Sequence, residues 1–491
     1  MSANEKVATF YIAFGVNEDG DAESYFFSEH REPVETWVQN GGKRPDDNPP
    51  HAPDQASASP PNKPSLSKNK PVDSFQKITR HFLSSMDKIY RVVPSTMMLL
   101  PTAEQQELNA KFYKPLKKAT TRLLKTEQFE IYECGIEHLR LLMRTRQDLL
   151  ALRDGRSSLP AMFLMGLVSS YDAFLANLLH LIFLIKPEML SSSDRNISFK
   201  DLVALGSIEA ARDQIIEKEV ETLLRQSHHA QIDSLESKLS IPLRKDLDIW
   251  PSFVEICERR NLVTHTDGVV TRQYLTVCRD HGVDLKDVTA GDRLQITPEY
   301  LMRAINIVSE LGWKLIQVVW RKLKPDEIEQ AAASLNREAY ELLIRGRFRL
   351  ARKMLRFSLD LKKQGTEEVR RMMVVNLAIA LKSTAAIEEA NNVLTQEDWS
   401  ATSDKFKICV AAVREEVETV VSYISTISED HVGKQEYREW PAFKWVRVNP
   451  AFISAFEQRF REPFEPDHSS NDVDSVSAAH TSRKEKQPDP T

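Results

Sequence analysis

The chain has 491 residues, a formal net charge of -5, 28% charged and 41% hydrophobic residues, and a mean hydropathy of -0.40. That length supplies core for two or more domains, and the balance excludes a low-complexity or broadly polycationic chain. Cys134, Cys257, Cys278 and Cys409 lie far apart without CxxC spacing, which argues against a disulfide framework or a zinc ligand set and fits free thiols in a reducing, cytoplasmic setting. No metal and no cofactor is expected.

In chain order, Val7 to Val16 and Ala22 to Ser28 flank an Asp-Gly turn and predict a small β-hairpin within 1–32, which needs a partner because two strands are not stable alone. Met1 to Gly15 alternates apolar and polar residues and lacks a signal-peptide pattern. Residues 33–73, rich in Pro, Ser, Asn and Asp, read as a disordered linker. A helical domain is expected over 74–325. Within it, Lys111 to Lys125 carries six cations and no acid, so Lys117 and Lys118 are either RNA-backbone contacts or part of a solvated helix face.

Leu159 to Ile185 predicts a long apolar helix broken by Ser169, Ser170, Asp172, Asn177 and His180. A carboxylate in its middle argues against a membrane span and calls for a partner inside the protein. Arg260 is the obvious partner for Asp172; the alternative is a solvated polar stripe. His180 reads as an ordinary packed or capping residue.

The segment Glu258 to Gly268 follows Ile249, Phe253 and Ile256 and ends at a glycine, so it reads as the last turns of a helix. At about 100° per residue Asn261 and His265 share a face, with Arg260 on its shoulder. These types suit phosphodiester chemistry. Imidazole moves protons near neutrality, guanidinium forks onto phosphate oxygens, and Asn either orients the imidazole or donates to the phosphate. The plain alternative is a helix C-terminus whose cations meet the last carbonyls. Thr297-Pro298 then opens a helix that runs to Leu323, before Pro325.

Over 326–465, Ala339, Phe348, Ala351 and Leu355 recur 39 residues later as Ala378, Ile387, Ala390 and Leu394, with Gly346 matching Ala385. Small residues twelve apart with a bulky one four beyond let two antiparallel helices approach closely, and Phe406 to Ile427 offers a third pair or a cap. Arg345, Arg347, Arg349, Arg352, Lys353 and Arg356 mark either a binding face or the solvated side of these helices. Trp440 to Trp445 is aromatic enough to close the array, and 466–491 reads as a disordered tail.

The segment Arg260-Asn261 to His265 resembles the Arg-x(4 to 6)-His motif of HEPN ribonucleases, and Ser169 to Asp172 resembles the polar element on an earlier core helix of those domains. The 39-residue repeat resembles tetratricopeptide units in an irregular version. The fold expected is therefore mainly α: a HEPN-like bundle, a tetratricopeptide-like α-hairpin array and a small N-terminal β-hairpin. The resemblance implies a metal-independent endoribonuclease, of the kind found as bacterial toxins or antiviral effectors. Arg260, Asn261 and His265 would be catalytic, Asp172 and Ser169 supporting, and Arg259, Lys117 and Lys118 would contact RNA. It also implies a homodimer with a composite site and a trigger or protein partner for the repeats. The alternative is a non-catalytic dimerisation or nucleotide-binding scaffold. Nothing resembles the carboxylate cluster of a two-metal, DNA-directed enzyme.

Overall fold

The computed structural model describes residues 9–16, 22–28, 31–39, 74–119, 121–125, 129–135, 139–190, 198–245 and 247–465. The architecture is mainly α with one four-stranded sheet. The chain divides into two compact units, one drawn from Met1–Lys70, Asp87–Gly166 and Leu294–Met302, the other from Pro71–Met86, Leu167–Arg293 and Arg303–Thr491.

In the first unit, β1 (Thr9–Val16) and β2 (Ala22–Ser28) form the expected antiparallel hairpin; its Asp-Gly turn lies outside the described residues. A helix, α1 (Arg31–Gln39), follows where the linker was expected to begin. Pro33 is tolerated in its first turn, Arg31 pairs with Glu35 at 2.6 Å, and Val34 is buried. The rest of the expected linker and the tail 466–491 lie outside the described residues. Ser74 caps α2 (Phe75–Glu107) through the Lys77 amide at 3.3 Å, as the position of the helix start predicted.

The basic run is not one helix face. It passes through a π-helical turn (Leu108–Tyr113) and α3 (Lys114–Ala119) into β3 (Thr121–Lys125), which pairs with β4 (Phe129–Gly135). The sheet order is β2-β1-β4-β3, so the hairpin finds its partner in β4, with Thr9 opposite Gly135. The strands inside the expected helical region were hidden because central β4 buries both faces and lacks the apolar-polar alternation of a half-exposed strand. Glu130 on β4 is 2% exposed and takes hydrogen bonds from the Tyr113 and Tyr132 hydroxyls, with Lys117, Arg122 and Lys125 at 3.5 to 3.6 Å. Burial works to raise this carboxyl, and the phenols and cations outweigh it, so it sits below the ordinary carboxylate value.

The helix expected over 159–185 is longer: α4 spans Leu139–Ile185 and carries Pro160 inside it. Its stretch Asp154–Ile185 is long and apolar enough to cross a membrane, and half of the most apolar window is buried in the protein. After α5 (Phe199–Leu205), α6 (Ile208–Leu224) and α7 (His228–Leu239) come α8 (Trp250–Thr266), α9 (Arg272–Asp280) and α10 (Pro298–Leu323). In the second unit the Phe82 and Phe174 rings sit 4.3 Å apart, and Tyr171 meets Phe253 edge-on at 4.9 Å, so α2, α4 and α8 share one aromatic core. Thr297 caps α10 through the Tyr300 amide at 3.1 Å, and Ala304, Ile305, Val308, Leu311, Leu315 and Val319 form its buried face.

The internal repeat takes shape as α11 (Ile328–Ile344) with α12 (Phe348–Leu359) and α13 (Glu367–Ser383) with α14 (Ile387–Thr395), and a third pair follows, α15 (Asp404–Arg414) with α16 (Val417–Thr426). The turns of the three pairs are the same. Gly346, Ala385 and Glu415 each adopt positive φ, at 74°, 62° and 60°. Their amides return to Leu343, Lys382 and Ala412, and the next amides to Leu342, Leu381 and Ala411, a Schellman closure three times over. Ala339, Ala351, Ala378 and Ala390 are buried as the repeat required, whereas Ile387 is exposed. Arg347 of the expected charged face is buried instead, donating to Asn306 Oδ1 at 2.8 Å. After α17 (Lys434–Glu439), Trp440 stacks on Phe443 at 6.4 Å, and Phe443 and Tyr437 reach Phe452 of α18 (Pro450–Phe460), an aromatic closure of the array.

Candidate functional site

α8 brings the motif residues to one end of a helix. Pro251 occupies its first turn, and Asp267 and Gly268, both at positive φ, end it, the Gly268 amide returning to the Leu262 carbonyl at 3.1 Å. Arg260 reaches across to α4, where its terminal nitrogen Nη2 donates to Asp172 Oδ2 at 3.1 Å. Its other terminal nitrogen donates to Asn261 Oδ1 at 3.2 Å, and the Asn261 amide faces Glu258 Oε1 at 3.4 Å. The partnership expected between Asp172 and Arg260 is therefore present. Both side chains remain partly open, 32% and 22% exposed, so the guanidinium is held but reachable.

The sequence reading missed His228. This first residue of α7 places Nε2 2.9 Å from Asp172 Oδ1, the carboxylate oxygen that Arg260 leaves free. Its ring lies among Tyr171 and Phe253 at 6.1 and 6.2 Å. Burial by itself would lower the imidazole; the Cys257 sulfur and the Asp172 carboxylate against it hold it up to about 10. The only sequence signal was its position just after Ser227, an N-cap type at a helix start.

His265 sits one turn beyond Asn261 on the same face, exposed, with no hydrogen bond to Arg260, Asn261 or Asp172 among the described residues. Ser169 does not join the cluster. The three-residue step to Asp172 turns it about 60° away, and it lines a cleft of about 270 Å³ with His81, Ser85, Ser170 and Asn177. Arg259, expected to contact RNA, is tied to Glu255 at 2.6 Å, and the Tyr274 hydroxyl shares that oxygen at 2.9 Å. Lys117 accounts for its charge on Tyr113 and Glu130, while Lys118 is exposed; both belong to the other unit. His180 is half-buried, and burial lowers its imidazole.

The cluster carries two cations on one carboxylate; Arg260 uses one N–H of each terminal nitrogen, its Nε is buried without a partner among the described residues, and the second N–H of each terminal nitrogen remains for an anion. Among the described residues no three His, Cys, Asp or Glu side chains gather as a cation site. No family model, no curated protein and no solved structure matches the chain.

Proposed function

We propose that the protein is a metal-independent endoribonuclease of the HEPN type, with a tetratricopeptide-like array that binds a protein or other trigger. The observation that supports this reading most is Arg260 held in place by Asp172 and Asn261 while its side chain stays 22% exposed, five residues before His265 on the same helix. In the proposed reaction the ribose 2′-hydroxyl attacks the adjacent phosphate as one His265 takes its proton, Arg260 stabilises the phosphorane charge, and the P–O5′ bond breaks with the 5′-oxygen leaving protonated by the second imidazole. The product ends in a 2′,3′-cyclic phosphate. One chain supplies one exposed motif histidine, so the proposal includes a homodimer whose two α8 ends together provide acid and base. A bacterial toxin or antiviral effector is the biological setting that this chemistry suits.

The test is cleavage of total RNA by the purified protein in excess EDTA, with cyclic-phosphate ends as the product to be found. Arg260→Ala should reduce the rate roughly 100- to 1000-fold and His265→Ala by a similar factor. The scaffold reading is favoured by one observation, that no hydrogen bond orients His265 among the described residues, and an inactive wild type even with cell extract added would establish it.

A further inference from the structure

The first turn of α7 and the end of α9 bring two half-buried imidazoles together: the His229 and His281 rings lie 4.7 Å apart at 43°. Trp250 stands edge-on behind His281 at 5.9 Å, and its own face is covered by Arg244 at 5.5 Å, so the pair has an aromatic backing. Ser227 Oγ lies 2.9 Å from His229 Nε2 and fixes the ring. Burial first, and His281 second, keep the His229 imidazole below its ordinary value, so near neutral pH it offers an uncharged ring.

This pair adjoins the Arg260 cluster. His229 follows His228, which holds Asp172, and it lies in the field of Glu258, which faces Asn261. On α8, Trp250, Glu258, Asn261 and His265 fall within about 80° of arc, one stripe along the helix. At about 1.5 Å per residue His265 is roughly 10 Å beyond Glu258 and roughly 22 Å beyond Trp250, the ring behind His281; Arg260 lies off this stripe and is linked to the pair through Asp172 and His228.

We propose that His229 and His281 form a stacking shelf for an unpaired base flanking the phosphate held by Arg260, so that the substrate is single-stranded RNA. This rests on the reading of Arg260 as a phosphate contact. A base inside a duplex has its faces covered and cannot lie on the shelf, whereas a splayed base stacks on imidazole as on other aromatic rings. Stacking of this kind is independent of base identity, so the shelf selects for strandedness rather than sequence.

The experiment measures binding of a fluorescent 2′-O-methyl oligoribonucleotide, which lacks the attacking hydroxyl, alone and annealed to its complement. The single strand should bind wild type at least about tenfold more tightly than the duplex, and His281→Ala and His229→Ala should each weaken single-strand binding by about tenfold. His281→Phe, which keeps a ring, should retain binding, and its retention separates loss of stacking from loss of folding. Equal binding of duplex and single strand, or alanine variants that bind as wild type does, would overturn the shelf. If shelf-dependent binding holds while unmodified RNA stays uncut, the shelf stands and the nuclease reading fails; cutting that ignores both histidines has the reverse meaning.

Discussion

Asp172 divides one carboxylate between two cations, accepting from His228 through one oxygen at 2.9 Å and from Arg260 through the other at 3.1 Å. Removing it leaves both cations facing each other across a gap in the core edge. Asp172→Ala should destabilise the protein by about 1–3 kcal/mol, below the cost of a fully buried pair because both Asp172 and Arg260 are partly wet. Asp172→Asn, which keeps one acceptor, should fall between. Urea midpoints at neutral pH check the order, and an alanine variant as stable as wild type would contradict the role of the carboxylate.

His228 gives this cluster a pH signature. Its folded value, near 10, lies above the ordinary imidazole value, so the native state binds the extra proton. The resulting stability is fully present below the unfolded value, about 6.5, and is lost as pH rises toward 10. Wild type should lose stability more steeply than His228→Asn between pH 7 and 10. Parallel pH profiles of the unfolding midpoint would show that the imidazole is not held charged.

The three Schellman turns share one hydrogen-bond pattern and differ in the residue at the left-handed position. Ala385 and Glu415 carry a side chain where Gly346 has none. A Cβ there costs about 1–2 kcal/mol, partly offset by glycine's greater freedom when unfolded. Ala385→Gly and Glu415→Gly should each stabilise by about 0.5–1 kcal/mol, and Gly346→Ala should destabilise by about as much, read as shifts in thermal midpoint.

Gly312 faces the Phe82 ring so closely that an added Cβ would stand 2.5 Å from two of its carbons and 3.3 Å from Phe174. Ala is the better helix former by up to about 1 kcal/mol, but overpacking costs about 1–3 kcal/mol, and Phe82 would have to give up its 4.3 Å packing on Phe174. Gly312→Ala should therefore lower the midpoint, and Phe82→Leu in the same chain should recover part of the loss.

A composite dimer makes a prediction about mixtures. Because a mixed dimer of wild type and His265→Ala holds one of the two imidazoles, co-refolding wild type with excess His265→Ala should lower the ribonuclease activity per wild-type chain. Activity that simply follows the amount of wild type would place the whole proposed reaction within one chain.

Helix ends with local chemistry were legible in the sequence. Thr297, Pro298 and Pro325 bracketed α10, Ser74 marked α2, and the spacing of Ala339, Ala351, Ala378 and Ala390 gave the helical pairs. Asp172 was legible because an acid on an apolar helix must find a cation. His228 was not, since its role comes from a contact 56 residues away in sequence and its own neighbours are ordinary. Glu130 failed for the related reason that a buried acid in a central strand breaks the strand pattern, and its phenol partners are specified only by the folded sheet. Ser169 was expected beside Asp172 because both break the same apolar helix; it lines a cleft with His81 instead.

The pairing of β1 with β4 has a consequence for biosynthesis. The hairpin is made well before β4, and its strand β1 pairs with residues made more than a hundred positions later, Thr9 with Gly135. At roughly 5–20 residues per second, the open edge of β1 waits on the order of ten seconds for its neighbour. A nascent chain of this protein therefore presents the unpaired edge of β1 until β4 has been made. That interval is when chaperone engagement, or pairing with another nascent hairpin, competes with the native sheet.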